Sequence, residues 1–307
     1  MIRLTSLDPI PDALRGAVMA LGNFDGVHAG HQAVIGRAVD MGRAHGRPVI
    51  VATFDPHPVR HFKPDAAPFR LTSLDQREDL FAGLDADAMM VFAFNAELAG
   101  TSASDFVTRF LAGRFHLTGV VTGSDFTFGQ GKCGDVAMLA AIGPTVGMEA
   151  VAVDPVQASG QAVSSSRIRE ALWAGDPQEA ARLMTRPFAI RGTVQHGDKL
   201  GRTIGYPTAN IDLGTYIRPK YGIYAVTGHL PGGRVLKGAA SLGIRPTFEP
   251  PKELLEPFFF DFSEDLYGQE IEVAFHHFLR PEAKFDSLDA LVAQMDRDCA
   301  RARELLV

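Results

Sequence analysis

Between Ala17 and Phe54 the chain holds an apolar run, a loop rich in glycine and histidine, a stretch of helical spacing and a second apolar run. Ala17–Leu21 (AVMAL) stops at a glycine. Gln32–Ala44 repeats its apolar residues at Val34, Ile35, Ala38, Val39 and Met41, and Pro48–Phe54 (PVIVATF) suits a buried strand. Strand, helix and strand within ~40 residues make a βαβ unit, which implies parallel strands and a right-handed crossover. The alternation continues. Helices are expected over Ser73–Leu84, Ser104–Phe115, Val136–Ile142, Ser164–Ala174 and Pro177–Met184, with Ser102 or Ser104 capping the second of these. Strands are expected over Ala88–Phe94, Gly119–Gly123 and Glu149–Val153.

After Arg186-Pro187 the character changes. AIRGTV, GIYAVTGHL, RVLKGAASLG, PFFFDF and EIEVAFHHFL are short and β-like, with Gly and Pro between them, as in a small antiparallel barrel. Leu288, Leu291, Val292, Met295, Cys299 and Leu305 then share most of one helical face, so a C-terminal helix should pack on the barrel. A length of 307 residues suits about two domains. The expected division is an α/β parallel-sheet domain over residues 1–183 and a barrel domain over 184–307.

Charge and cysteine content narrow the partners. There are 30 Lys+Arg against 36 Asp+Glu, a net charge of −6, whereas long nucleic acid favours a basic face. Small phosphorylated ligands remain open, because a helix terminus or a few basic groups meet their charge locally. No apolar run approaches the ~18–20 residues that cross a bilayer, and MIRLTSLDPIPD lacks the apolar core of a signal peptide. Cys133 and Cys299 form no metal spacing and suit unpaired thiols. The expectation is a cytoplasmic protein with small-molecule substrates and neither a nucleic-acid nor a membrane partner.

Chemistry concentrates first in Gly22-Asn23-Phe24-Asp25-Gly26-Val27-His28-Ala29-Gly30-His31, between the first strand and first helix. Free amides and a positive dipole end gather at a helix start, glycines let backbone approach a ligand, and two imidazoles there can donate to phosphate. This string resembles the HxGH nucleotidylyltransferases, whose fold is Rossmann-like, and more closely the bifunctional riboflavin kinase/FAD synthetases of bacteria. The likeness continues through Thr53-Phe54-Asp55-Pro56-His57-Pro58, Gly123-Ser124-Asp125-Phe126-Thr127-Phe128-Gly129 and Ser164-Ser165-Ser166-Arg167-Ile168-Arg169. It implies that Gly22, Phe24, Asp25, Ser165 and Ser166 bind ATP, that His28, His31 and Arg169 act on its phosphates, and that Phe54, Pro56, His57, Asp125, Phe126 and Phe128 border flavin. On residue chemistry alone the serines equally cap a helix, and the phenylalanines equally fill a core.

The second half holds Gly197-Asp198-Lys199-Leu200-Gly201-Arg202-Thr203-Ile204-Gly205-Tyr206-Pro207-Thr208-Ala209-Asn210. It is no P-loop, since GxxxxGK[ST] is absent. Its PTAN string is similar to the riboflavin kinase signature. The resemblance assigns Gly201 and Arg202 to ATP, Thr208 and Asn210 to Mg²⁺ and phosphate oxygens, and the catalytic base to Glu256 in Glu256-Pro257-Phe258-Phe259-Phe260. Phe258 stands where that family usually has His, and Ser241 where Asn is common. The whole resemblance implies phosphorylation of riboflavin to FMN and adenylylation of FMN to FAD, with ATP and Mg²⁺. The nucleotide loop alone leaves open another small phosphate acceptor, and the fold alone leaves open a non-enzymatic flavin or nucleotide sensor.

Overall fold

The structure is a computed structural model and describes residues 1–196, 205–245 and 252–306. Packing divides the chain into two compact units. One is Met1–Ala67 with Leu74–Val163; the other is Pro68–Ser73 with Ser164–Val307.

The first unit opens with β1 (Ile2–Thr5), β2 (Val18–Leu21), α1 (Ala29–His45), β3 (Val49–Asp55), α2 (Pro58–Phe62), α3 (Leu74–Ala82) and β4 (Ala88–Ala93). It continues with α4 (Ala96–Gly100), α5 (Ala103–Asp105), β5 (Gly119–Gly123), α6 (Val136–Ile142), β6 (Glu149–Val153) and a two-residue hairpin of β7 (Gln157–Ala158) and β8 (Gln161–Ala162). The six main strands form an all-parallel sheet in the order β1-β4-β3-β2-β5-β6, as the βαβ reading requires. The chain moves outward from β2 through β3 and β4, then returns to the far side of β2 as β5. The carboxyl ends of β2 and β5 therefore flank the switch point where such sheets bind ligands.

Buried α1 residues Val34, Ile35, Ala38, Val39 and Met41 are those the helical spacing selects. The expected helix over Ser104–Phe115 differs. Ser102 caps it at the Asp105 amide, but beyond Asp105 the turns widen into a π-helical stretch, Phe106–Arg114. Phe106, Val107 and Leu111 are buried there against Phe92, Phe115 and Phe128, so aromatic packing prevails over regular winding. β1 was not apparent in the apolar pattern, since three of its four residues are exposed at the sheet edge.

The second unit begins with α7 (Ser165–Ala174) and α8 (Pro177–Met184). There follow β9 (Phe188–Gln195), β10 (Asn210–Asp212), β11 (Gly222–His229), β12 (Val235–Arg245), β13 (Lys252–Phe259), β14 (Glu270–Arg280) and α9 (Leu288–Leu305). β9 to β14 close an antiparallel barrel in the order β10-β13-β12-β11-β14-β9. β13 begins several residues before the PFFFDF string that signals it, and three-residue β10 starts at Asn210, the last residue of the PTAN motif. Ile190, Ile211, Leu255, Val273 and Phe275 are fully buried in this unit. Ser287 caps α9 at the Ala290 amide.

Candidate active sites

In the first unit the chain leaves β2 at Gly22 and enters α1 through its cap, His28. The His28 Nδ1 accepts from the His31 amide at 3.3 Å, so one imidazole is both cap and site residue. The two rings stack with centroids 3.6 Å apart and 18° between planes. Phe24 meets His31 edge-on at 5.2 Å, and Phe81 supports Phe24 at 5.9 Å. Gly30 lets the backbone pass close to the ring: a Cβ on it would lie 3.1 Å from His28 Cε1 and 3.3 Å from Nδ1, so the imidazole would have to shift by a few tenths of an ångström. Gly22 is similar, facing the Phe24 ring at 3.1 Å.

The loop is strained as well as packed. Phe24 and Val27 take φ of 48° and 41°, a region that costs a β-branched residue dearly, and both are buried. Asp25 is buried too. What holds the turn comes from two other elements. Thr53 Oγ1 on β3 donates to the Asn23 carbonyl at 2.7 Å. Arg77 Nη1 on α3, itself buried, donates to Thr53 Oγ1 at 2.6 Å and to the same carbonyl at 3.2 Å. Gln32 Nε2 adds a bond to the Val27 carbonyl at 2.9 Å. Sequence reasoning missed Arg77; its signal, an arginine on an otherwise buried helix face, shows only once α3 is docked.

The flavin expectations sit at the carboxyl ends of the same sheet. Phe54 at the end of β3 packs on Phe92 and Phe94, with Phe54 and Phe92 in the core. Pro56 is exposed, and His57 caps α2 by accepting from the Val59 amide at 3.2 Å. After β5, Asp125 is exposed, Phe126 is half-buried, and Phe128 is a core residue whose ring stacks on Phe126 at 5.8 Å. Phe62 was not singled out from the sequence. It is 66% exposed, with its ring edge-on to Phe94 at 5.9 Å, so α2 presents an apolar ring beside these elements.

In the second unit Ser164 caps α7 by accepting from the Arg167 amide at 3.3 Å, with Ser165 and Ser166 in the first turn. Arg167 reaches Glu179 at 3.3 Å. Arg169 Nε donates to the Phe69 carbonyl at 2.8 Å, and its guanidinium lies 5.4 Å from the Phe69 ring.

The barrel brings Thr208, Asn210 and Glu256 together through strand register. Ile211 pairs with Leu255 and Asp212 with Leu254, and the Ala209 amide donates to the Pro257 carbonyl at 3.0 Å. Extending that antiparallel register sets Asn210 opposite Glu256. Ile211 and Leu255 turn into the core, so by the two-residue alternation Asn210 and Glu256 share the outward face, and half-buried Thr208 lies two residues before Asn210. Ser241 pairs with Glu256 from β12 on the same face. Asn210 is nonetheless buried. Gly201 and Arg202 lie outside the described residues. Among the described residues no group of three or more His, Cys, Asp or Glu side chains gathers to hold a metal. The Thr208 and Asn210 oxygens are the donor type a hard cation takes when substrate phosphates and water complete its shell.

Comparison with known proteins matches two stretches of this chain to two families. The FAD synthetase family matches residues 10–167 and the riboflavin kinase family residues 184–306. Curated relatives called bifunctional riboflavin kinase/FMN adenylyltransferase share 38% identity in Escherichia coli K12 (94% of this chain, 92% of the relative) and 40% in Pseudomonas fluorescens (95% and 93%). The Listeria monocytogenes relative of that name is 39% identical over 92% of this chain and 90% of its own. A crystal structure described as a macrolide-efflux protein from Streptococcus pneumoniae superposes with a TM-score of 0.88 at 30% identity, covering 99% of each chain. No described helix here is long and apolar enough to cross a membrane. With both family matches falling on the segments that carry the imidazole loop and the Thr-Ala-Asn ladder, the chain belongs to the bifunctional riboflavin kinase/FMN adenylyltransferase family.

Proposed function

We propose that the chain phosphorylates riboflavin with ATP to FMN and ADP, and then joins FMN to the adenylyl group of a second ATP, releasing pyrophosphate. Residues 184–307 carry the first activity and residues 1–183 the second. In the first, the ribityl 5′-hydroxyl oxygen bonds to the γ-phosphorus as the bond to the β-phosphate bridge breaks. Glu256 accepts the hydroxyl proton, and Thr208 and Asn210 hold Mg²⁺ and phosphate oxygens. Bound Mg²⁺ supplies charge neutralisation at the phosphates. Positioning and electrostatics carry most of phosphoryl transfer, so one base on a fixed ladder suffices.

In the second step the FMN phosphate oxygen bonds to the α-phosphorus and pyrophosphate leaves. The attacking group is already ionised, so a general base is unnecessary, and stacked imidazoles at an amide-rich helix start fit the donor role. Gly22, Phe24 and Asp25 shape the nucleotide loop, while Ser165, Ser166 and Arg169 serve ATP phosphate. Phe54, Pro56, His57, Asp125, Phe126 and Phe128 border the flavin, with Phe62 added from its exposure. ATP-consuming chemistry of this kind fits the cytoplasm. The observation that carries the reading is the outward alignment of Asn210 and Glu256 in one ladder, in a chain that also builds the twin-imidazole loop. Incubation with riboflavin and MgATP, followed by chromatography, should yield FMN and then FAD. Unchanged riboflavin, together with no FAD from supplied FMN, would leave a sensor in its place.

A further inference from the structure

The inference rests on the kinase reading above and concerns what fixes the Thr208–Asn210 segment. β10 is only three residues long, with two residue pairs to β13 and two to β9, so the ladder gives that segment little hold. A second hold comes from α9. The outward face of β13 runs through Glu256 and Phe258 and on to Phe260, since Leu255 and Phe259 point inward and are buried. α9 lies on this face: Ala302 and Leu306 cluster with Ala225, Ala239 and Phe260, and Phe258 and Cys299 pack against them. Asp296, one helical turn before Cys299, accepts a hydrogen bond from the Tyr206 hydroxyl. The Tyr206 ring lies 4.9 Å from that of Phe258, and Tyr206 is buried.

Tyr206 is thus gripped at its hydroxyl by α9 and at its ring by the residue two places beyond Glu256. Thr208 follows two residues after it. We propose that Tyr206 and Asp296 are positioning residues of the kinase centre, setting Thr208 and Asn210 in register against Glu256. Phe258 supplies the apolar side of the bracket. If Tyr206 only filled space, phenylalanine would replace it fully; if it positions, the lost hydrogen bond reaches the ATP end of the reaction.

Full-length Tyr206→Phe, Asp296→Leu and Asp296→Asn are compared with the parent for steady-state FMN formation and, separately, for adenylylation of supplied FMN. Loss of a hydrogen bond to a charged acceptor predicts that Tyr206→Phe and Asp296→Leu lower kinase kcat/KM about tenfold, mainly through KM for MgATP. Asp296→Asn keeps an acceptor oxygen and recovers most of it. FMN adenylylation and KM for riboflavin stay within about twofold. Asp261→Asn, which removes the ion pair α9 makes through Arg303 in its last turn, leaves KM for MgATP unchanged. Parental KM for MgATP in Tyr206→Phe overturns the inference, as does an equal fall in both activities. A parent that makes no FMN from riboflavin overturns the kinase reading itself, so the two failures are told apart.

Discussion

His28 has two jobs that substitution can separate. As the cap of α1 it satisfies the His31 amide; as one of two stacked imidazoles it is a proposed phosphate donor. His28→Ala removes both and should cost about 1 kcal/mol of stability through the lost cap. Asn is a good cap but no imidazole, so His28→Asn should keep the parental urea midpoint while FAD synthesis falls about 10²- to 10³-fold, the range for one oxyanion donor. A His28→Asn enzyme that retains FAD synthesis would remove the imidazole from the mechanism. Glu256→Gln is the counterpart in the barrel: FMN formation should stop while supplied FMN is still adenylylated, measured by product chromatography. The residues proposed for these roles could be singled out in sequence because the motif strings are local. The supports were not. Thr53 and Arg77 lie 30 and 54 positions from Asn23, and no spacing rule connects a threonine on a strand and an arginine on a helix to one loop carbonyl. The positive φ of Val27 was equally hidden, since a β-branched residue gives no local sign that the fold will force it there.

At the scale of elements, periodicity found what is amphipathic and misjudged what is anchored by polar pairs. Core-facing α1 and buried β3 were readable because their apolar residues recur at the right period. α9 was found, but Leu288 at its start is exposed, whereas Asp298 and Ala302 are buried. Asp298 accepts two bonds from Arg280 Nε, at 3.0 Å each, and one from Nη2 at 2.7 Å, with a fourth from Gln294 at 2.9 Å. Removing one partner of a largely buried pair strands the other, so Asp298→Ala should cost about 3 kcal/mol, read as a lower urea midpoint. The β11–β14 pair adds a pH effect. Burial, then the charges of His277 and His229, lower the His276 pKa from its ordinary 6.5, while its Nε2 lies 2.9 Å from Thr227 Oγ1. The unfolded chain then binds the proton more readily than the folded one. Stability is full above pH 6.5 and declines as pH falls from there toward the lowered folded value. Urea midpoints measured from pH 7.5 down to about 5.5 should fall in the parent and less in His276→Gln.

For the whole molecule, the two family matches and the two packed units do not divide the chain at the same residues. The riboflavin kinase match begins at residue 184, yet the second unit also takes in Pro68–Ser73 and everything from Ser164. Within that unit the Arg70 amide donates to the Thr215 carbonyl at 3.1 Å, and the Ile217 amide to the Arg70 carbonyl at 2.8 Å. α8 buries Ala180, Leu183 and Met184, and the Lys220 amide bonds to the Leu172 carbonyl of α7 at 2.9 Å. Sequence periodicity placed both helices, and the boundary expected after residue 183, read from the change to short β-like segments, sets them with the α/β half; amphipathicity says only that a face is covered and not by what. Their packing separates where activity is encoded from where stability is. A fragment of residues 184–307 keeps Thr208, Asn210 and Glu256 but lacks α7 and α8; a fragment of residues 164–307 keeps all five. Exposing one leucine-sized side chain costs about 1.5–3 kcal/mol. The shorter fragment should therefore unfold at a clearly lower urea concentration. FMN formed per folded molecule should be equal in the two, since the helices supply none of the proposed kinase groups. Equal midpoints would show that α7 and α8 are dispensable to the barrel, and a selective loss of turnover in the folded shorter fragment would place a kinase residue within 164–183.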